Sequence, residues 1–127
     1  MWNEDDFLDS LKQLQGYWYL ASPYTLYPAG LEAACKHVSD VAAWLILHGV
    51  TLFSPIAHSH TISGERKELA ADHKTWMRVD RPFMEASVGC IVVCMPTWQD
   101  SRGVTKELDF FREHNKPIFS MPWPIAS

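Results

Sequence analysis

The stretch C-I-V-V-C-M, Cys90 to Met95, decides the fold. Six apolar residues run without a polar interruption, and three of them are β-branched. A strand of that kind is covered on both faces, which is the pattern of a central strand in a parallel sheet. Downstream comes P-T-W-Q-D-S-R-G-V-T-K-E-L, residues 96–108. It reads as a loop from Pro96 to Asp100, then a helix from Ser101 to His114 with Val104, Leu108 and Phe111 on its buried side. Pro117 to Ser120 is a further strand, and the tail M-P-W-P-I-A-S, with two prolines, reads as extended.

Upstream, Leu31 to His48 carries Leu31, Ala34, Cys35, Val38, Val41, Ala42 and Leu45 at helical spacing and stops at Gly49. Tyr17 to Ala21 reads as a buried aromatic strand, Ser22 to Thr25 as a turn, and Val50 to Phe53 as a second short strand. Residues 3–15 form a short amphipathic helix with Phe7, Leu8, Leu11 and Leu14 on one side, ended by Gly16; Phe7, Leu11 and Leu14 cover the sheet or form a partner surface. Ser54 to Gly64, with Pro55, His58 and His60, reads as a polar loop. Residues 66–87 are mostly helical by pattern, with Pro82 expected to kink or interrupt the helix or to start a new one.

Helices thus alternate with strands, and such alternation gives a parallel sheet with right-handed crossovers. We expect one α/β domain over residues 1–127, a flavodoxin-like or Rossmann-like three-layer sandwich. Its sheet should have four to five strands in an order of about 2-1-3-4. Ligands of such sheets sit outside the carboxyl ends of the strands, where the strand order reverses. Three loops leave those ends: Ser22 to Tyr27, Ser54 to Gly64 and Pro96 to Arg102.

The chain has 127 residues, 47% hydrophobic and 20% charged, which suits one globular domain and argues against disorder. A net charge of -4 and a pI near 5.8 speak against a nucleic-acid polymer held on a basic surface. They leave room for a single nucleotide, which needs only a few amides and hydroxyls. Cys35, Cys90 and Cys94 match neither C-x-x-C nor a disulfide framework, so buried thiols in a reducing compartment are expected. The N-terminus is acidic where a signal peptide is basic, and Val41 to Leu47 is far too short for a bilayer span of about 20 residues. These features together predict a cytoplasmic protein without a membrane partner.

The segment Ser101 to Glu107 is the candidate working part. Ser101 is a good helix cap, and Gly103 lets a ligand approach the backbone. A helix N-terminus at a strand's carboxyl end suits a phosphate or carboxylate, although capping alone also accounts for Ser101. Glu107 lies three residues from Val104 and four from Phe111, so it shares part of the buried face. The alternative is a solvated Glu beside Lys106.

Y-L-A-S-P-Y-T on the first strand (residues 19–25), a lone aspartate before the third strand, and S-R-G-V-T-K-E-L after it (residues 101–108) together resemble the nucleoside 2-deoxyribosyltransferase superfamily, which includes nucleoside 5'-monophosphate N-glycosidases. The likeness is greatest to a small branch with S-P-I-A-H-S-H after its second strand and W-x-x-S-R-G-V before its last helix, here Ser54 to His60 and Trp98 to Val104. It covers roughly residues 17–120. The resemblance implies that Glu107 is the nucleophile at the anomeric carbon. It implies that Asp80 contacts the sugar and assists proton transfer, that Tyr19 positions the carboxylates, and that Ser101 binds a 5'-phosphate. Dimers or tetramers are expected by the same likeness. The residue types suit the chemistry: N-glycoside cleavage passes through an oxocarbenium-like state that one carboxylate stabilises or traps, while a second carboxyl manages a proton.

The chain departs from the family in three places. Val88 stands where many members carry an acid, Pro82 follows Asp80 closely, and the first loop, S-P-Y-T-L-Y, has no arginine, leaving Tyr24 and Thr25. Ser22, Tyr24, His58, His60, Trp98, Ser101 and Gly103 are the candidate substrate contacts. His58 and His60 alternate as zinc ligands can, but no Cys or carboxylate partner stands near, so base contact, proton shuttling or a structural hydrogen bond is assigned instead, and no metal or cofactor. Trp76 and Trp98 are candidates for stacking on a nucleobase, Trp98 being preferred because its loop should border the site. Asp100 reads as a turn residue. The leading expectation is N-glycosidic cleavage or deoxyribosyl transfer on a small nucleoside or nucleoside 5'-monophosphate. The alternatives are a glycohydrolase of an NAD-type dinucleotide and a nucleotide-binding sensor without turnover, the latter favoured by Val88 and Pro82.

Overall fold

A computed structural model describes residues 2–125 of the chain. Helix α1, Glu4–Lys12, begins where the Asn3 side chain accepts the Asp6 amide at 2.9 Å, and Glu4, Asp5 and Asp6 oppose the positive end of its dipole. Then follow β1 (Trp18–Ala21), α2 (Leu31–Leu47), β2 (Leu52–Phe53), α3 (Pro55–Glu65), a short 3-10 turn (Lys67–Leu69), α4 (His73–Ala86), β3 (Gly89–Val93), α5 (Arg102–Glu113) and β4 (Ile118–Met121). The four strands form one parallel sheet in the order β2-β1-β3-β4. Trp18 pairs with Leu52 on one side and Gly89 on the other, and Cys90 pairs with Ile118. The architecture is an α/β flavodoxin-like three-layer sandwich.

The central strand β3 is buried at every residue, as its unbroken apolar run requires. Its alternating side chains divide the core in two. Trp18, Leu20, Ile91 and Val93 face α1 and α2, joining Phe7, Leu11, Val38, Val41 and Leu45. Tyr19, Ala21, Cys90 and Val92 face α4 and α5, joining Met84, Val104, Leu108 and Phe111. Gly89 permits the close strand packing: a Cβ there would lie 2.5 Å from the Pro117 carbonyl oxygen and 2.6 Å from the Trp18 ring.

Several expectations need correction. Residues 55–65 are helical, not a loop. Ser54 accepts the Ala57 amide at 3.2 Å and Pro55 occupies the first turn, both helix-start signals that the polar composition of the segment obscured. Pro82 does not break α4, which runs on to Ala86 with Pro82 on its exposed side. The far end of α4 is held instead by Lys116, whose Nζ donates to the carbonyls of Met84 (3.0 Å), Glu85 (2.5 Å) and Ser87 (2.5 Å). Leu14 lies beyond α1 and is exposed, whereas Phe7 and Leu11 do cover the sheet. Of the three free thiols only Cys90 is buried; Cys35 and Cys94 are half-buried. Among the described residues no helix is long and apolar enough to cross a membrane.

Candidate active site

Between β1 and β3 the strand order reverses, and a crevice opens at their carboxyl ends. A cavity of about 80 Å³, partly open to solvent, lies there. Four parts of the chain build it. The β1–α2 loop supplies Ser22, Tyr24 and Thr25; α3 supplies Ile56, Ser59 and Ser63; the start of α4 and the turn before it supply Asp72, His73, Trp76, Met77 and Asp80; and α5 supplies Ser101, Gly103 and Glu107.

Asp80 and Glu107 are buried to 7% and 6% exposure, and both line this cavity. Each sits there by helical register. On α5, Glu107 follows Val104 by one turn and precedes Phe111 by another, so the packing of those two residues against the sheet carries it inward. On α4, Asp80 stands four residues from both Trp76 and Met84, on the face toward the sheet. Tyr19 points from β1 to the same side, wedged between Phe53 and Phe111 with ring centroids 6.1 and 5.6 Å away. Its hydroxyl donates a short hydrogen bond to Glu107 Oε2 and also faces Asp80.

The electrostatics follow from that burial. Desolvation pushes Glu107 up to about 8, against the Tyr19 hydrogen bond that favours its ionised form, and the Asp80 charge raises it further. Desolvation likewise lifts Asp80 to about 6, offset in part by Tyr19. The Tyr19 phenol is raised well above 10.0 by burial first and by the two carboxyls second, so it keeps its proton and acts as a donor. Near neutral pH the pair holds one proton, an arrangement in which two carboxyl groups take different roles. Ser22 Oγ and Asp80 Oδ1 are buried with no hydrogen-bond partner among the described residues. Both residues line the cavity, and a polar ligand would satisfy them.

Among the sequence candidates, the structure brings Tyr19, Ser22, Tyr24, Asp80, Ser101, Gly103 and Glu107 together. Ser101 caps α5 through the Val104 amide at 3.2 Å, which uses a lone pair of its oxygen and leaves its O–H free to donate. A Cβ at Gly103 would meet nothing nearer than Ser101 Oγ at 4.0 Å, so any constraint on Gly103 comes from the cavity.

Three candidates lie elsewhere. Two positions apart on a helix, His58 and His60 point to different sides: His58 is exposed near Phe53 and Phe83, and His60 bonds the Tyr24 hydroxyl at 2.5 Å. Neither lines the cavity, and among the described residues no cluster of three His, Cys, Asp or Glu is placed to hold a metal. Trp98 borders a separate groove with Trp123 and Pro124, because the tight turn through Thr97, whose φ is 72°, carries the loop toward the end of β4. The aromatic wall is Trp76 instead, fixed by its indole N–H donating to the Leu69 carbonyl at 2.8 Å. Ser59, Ser63 and His73 also line the cavity. Once α3 is read as a helix, Ile56, Ser59 and Ser63 fall on one face at i, i+3, i+7, and that spacing was the available signal. Val88 and Pro82 do not touch the cavity.

The fold and site define a class: a small flavodoxin-like α/β domain with two buried carboxyl groups, one of them hydrogen-bonded by a strand tyrosine, at the sheet's switch point. The chain belongs to the family described as Domain of unknown function (DUF1937), which it matches over residues 16–122. Helix α1 lies outside the matched region. No curated protein matches the chain significantly.

Proposed function

We propose that this domain cleaves the N-glycosidic bond of a small nucleoside or nucleoside 5'-monophosphate, by hydrolysis or by transfer of the sugar to a second base. The observation that carries the reading is the Asp80–Tyr19–Glu107 arrangement on the cavity wall, with Asp80 Oδ1 unpartnered. A carboxyl group held neutral by burial gains most from ionising when a positive charge develops against it. An oxocarbenium-like transition state supplies that charge, so Glu107 binds the transition state better than the ground state. In that state the Glu107 proton passes to the Asp80 carboxylate, and the Glu107 carboxylate adds to the anomeric carbon. After releasing that proton to water in the cavity, Asp80 takes up the one lost by the attacking water or incoming base. Ser22 and Asp80 Oδ1 are donor and acceptor for sugar hydroxyls, and Trp76 offers its face to the base. The resemblance of Tyr19–Thr25 and Ser101–Leu108 to the deoxyribosyltransferase superfamily supports the same roles. An oligomer and a cytoplasmic setting belong to this proposal as well.

The test is a chromatographic screen for free base over ribo- and deoxyribonucleosides, with and without 5'-phosphate, and NAD. Wild-type protein is expected to release base from at least one of them, and Glu107→Gln to lower that rate by ~10³-fold or more. Unchanged release in Glu107→Gln would overturn the assignment. Nicotinamide release alone would move the substrate to the dinucleotide.

A further inference from the structure

A second chain of polar contacts reaches the cavity wall. The Tyr24 hydroxyl meets His60 Nδ1 at 2.5 Å, and His60 Nε2 meets Glu32 Oε1 at 3.0 Å. Tyr24 belongs to the β1–α2 loop and lines the cavity; His60 sits behind it on α3, and Glu32 on the first turn of α2. The order is hydroxyl, imidazole, carboxylate. Glu32 is 96% exposed, and in the contact its carboxylate oxygen accepts while His60 Nε2–H donates. Nδ1 is then free to change role. In the neutral ring it accepts the Tyr24 proton. In the charged ring it donates to the Tyr24 oxygen, which releases the Tyr24 proton toward another acceptor.

The molecule contains its own control. Tyr27 and His37 repeat the hydroxyl–imidazole contact at 2.6 Å with nearly the same ring geometry, interplanar angles being 76° there and 78° for Tyr24–His60. His37 has no carboxylate partner among the described residues, and neither residue lines the cavity. Packing alone explains that pair. The added carboxylate and the cavity-lining phenol distinguish the Tyr24 chain.

We propose that Tyr24, backed by His60 and Glu32, gives the leaving nucleobase its proton when the glycosidic bond breaks; this rests on the N-glycosidase reading. As the C–N bond breaks, its electron pair stays on the base nitrogen. The Tyr24 proton moves onto the base, and His60 Nδ1–H replaces it, so the phenol ends the step protonated. His60 becomes neutral and regains a proton from water, to which its side chain is 18% exposed. Burial raises Tyr24 above its ordinary 10.0, in keeping with a phenol that passes a proton on without resting as phenolate. Tyr24 is the catalytic group, and His60 and Glu32 act through it.

The experiment compares two leaving groups on the same sugar: the best nucleoside from the screen, and the p-nitrophenyl glycoside, whose phenolate departs without a proton. Tyr24→Phe is expected to lower kcat/KM for the nucleoside by about 10²-fold and to leave nitrophenolate release within roughly threefold of wild type. His60→Gln should shift the ratio in the same direction, and Glu32→Gln less so. These two variants keep the test open if Tyr24→Phe folds poorly. Tyr27→Phe and His37→Gln should leave the ratio unchanged. Equal slowing of both substrates in all three relay variants, or a ratio that moves only in Asp80→Asn, would overturn the proposal while the N-glycosidase reading stands. A wild-type protein inactive on both substrates would overturn that reading and the proposal with it.

Discussion

The two faces of the sheet are built from alternate residues of the same strands, yet they do different work. On the side of α1 and α2, Trp18, Leu20, Ile91 and Val93 meet Phe7, Val38, Val41 and Leu45, and the buried set there carries no carboxyl group. On the side of α4 and α5, the same strands present Tyr19 and Cys90, and both buried carboxyl groups, Asp80 and Glu107, lie there. Apolar burial stabilises by about 1.5–3 kcal/mol per large side chain, whereas an ionised carboxylate in the same setting is strongly disfavoured. One face therefore holds the fold together. The other keeps two acids in a place where they oppose folding at alkaline pH, and groups perturbed in this way concentrate at functional sites.

The contrast is sharpest in stability. Leu45→Ala removes a fully buried side chain from the apolar face and is expected to destabilise by ~2–5 kcal/mol, with base release per folded molecule unchanged. Glu107→Gln should do the opposite, abolishing release while holding or raising the melting temperature at pH 8. Denaturant melts beside activity assays check both. A loss of stability in Glu107→Gln would break the comparison.

A smaller effect separates the faces by pH. Asp80 and Glu107 rise from 3.8 and 4.5 to about 6 and about 8 on folding, so between those values the folded chain binds more protons than the unfolded one. Stability should then fall as pH rises from about 4 to about 8 and level off above, by on the order of a few kcal/mol. This is the reverse of the usual salt-bridged carboxylate. Melting temperatures across that range should slope downward in wild type and lie flatter in the Asp80→Asn, Glu107→Gln double variant. Equal slopes would mean that the acids are not held neutral.

The smallest expected effect concerns Ser101. Ser101→Ala removes the α5 cap and should reduce stability by ~1 kcal/mol. If the hydroxyl also binds a 5'-phosphate, KM rises for monophosphates and stays constant for nucleosides. Equal KM changes in the two classes would leave capping as its whole role.

Legibility from sequence was uneven, for identifiable reasons. The apolar run at Cys90–Met95 and the helical spacing of Leu31–His48 report on burial directly, so the parallel sheet and its flanking helices could be read from them. Glu107 could be placed beside the buried face because Val104 and Phe111 flank it on α5. The helix at 55–65 was obscured because Ser, Thr and His occupy its cavity and solvent sides, leaving little apolar period to detect. The choice between Trp76 and Trp98 turned on a single left-handed residue, Thr97, which no periodicity reveals.

By itself, then, the sequence determined the class of fold, the strand ends where polar residues gather, and the place of Glu107 beside a buried helix face, since local spacing decides which way a side chain faces; Asp80 and Tyr19 were singled out only by resemblance to the deoxyribosyltransferase superfamily. Only the tertiary structure decided what those side chains meet. Tyr19 reaches Glu107 across 88 residues of chain, and His60 joins Tyr24 to Glu32 across three separate elements. The raised pKa values of Asp80 and Glu107 come first from the low-dielectric surroundings that distant segments assemble around them. Desolvation and mutual approach are properties of packing, and no stretch of sequence carries them alone.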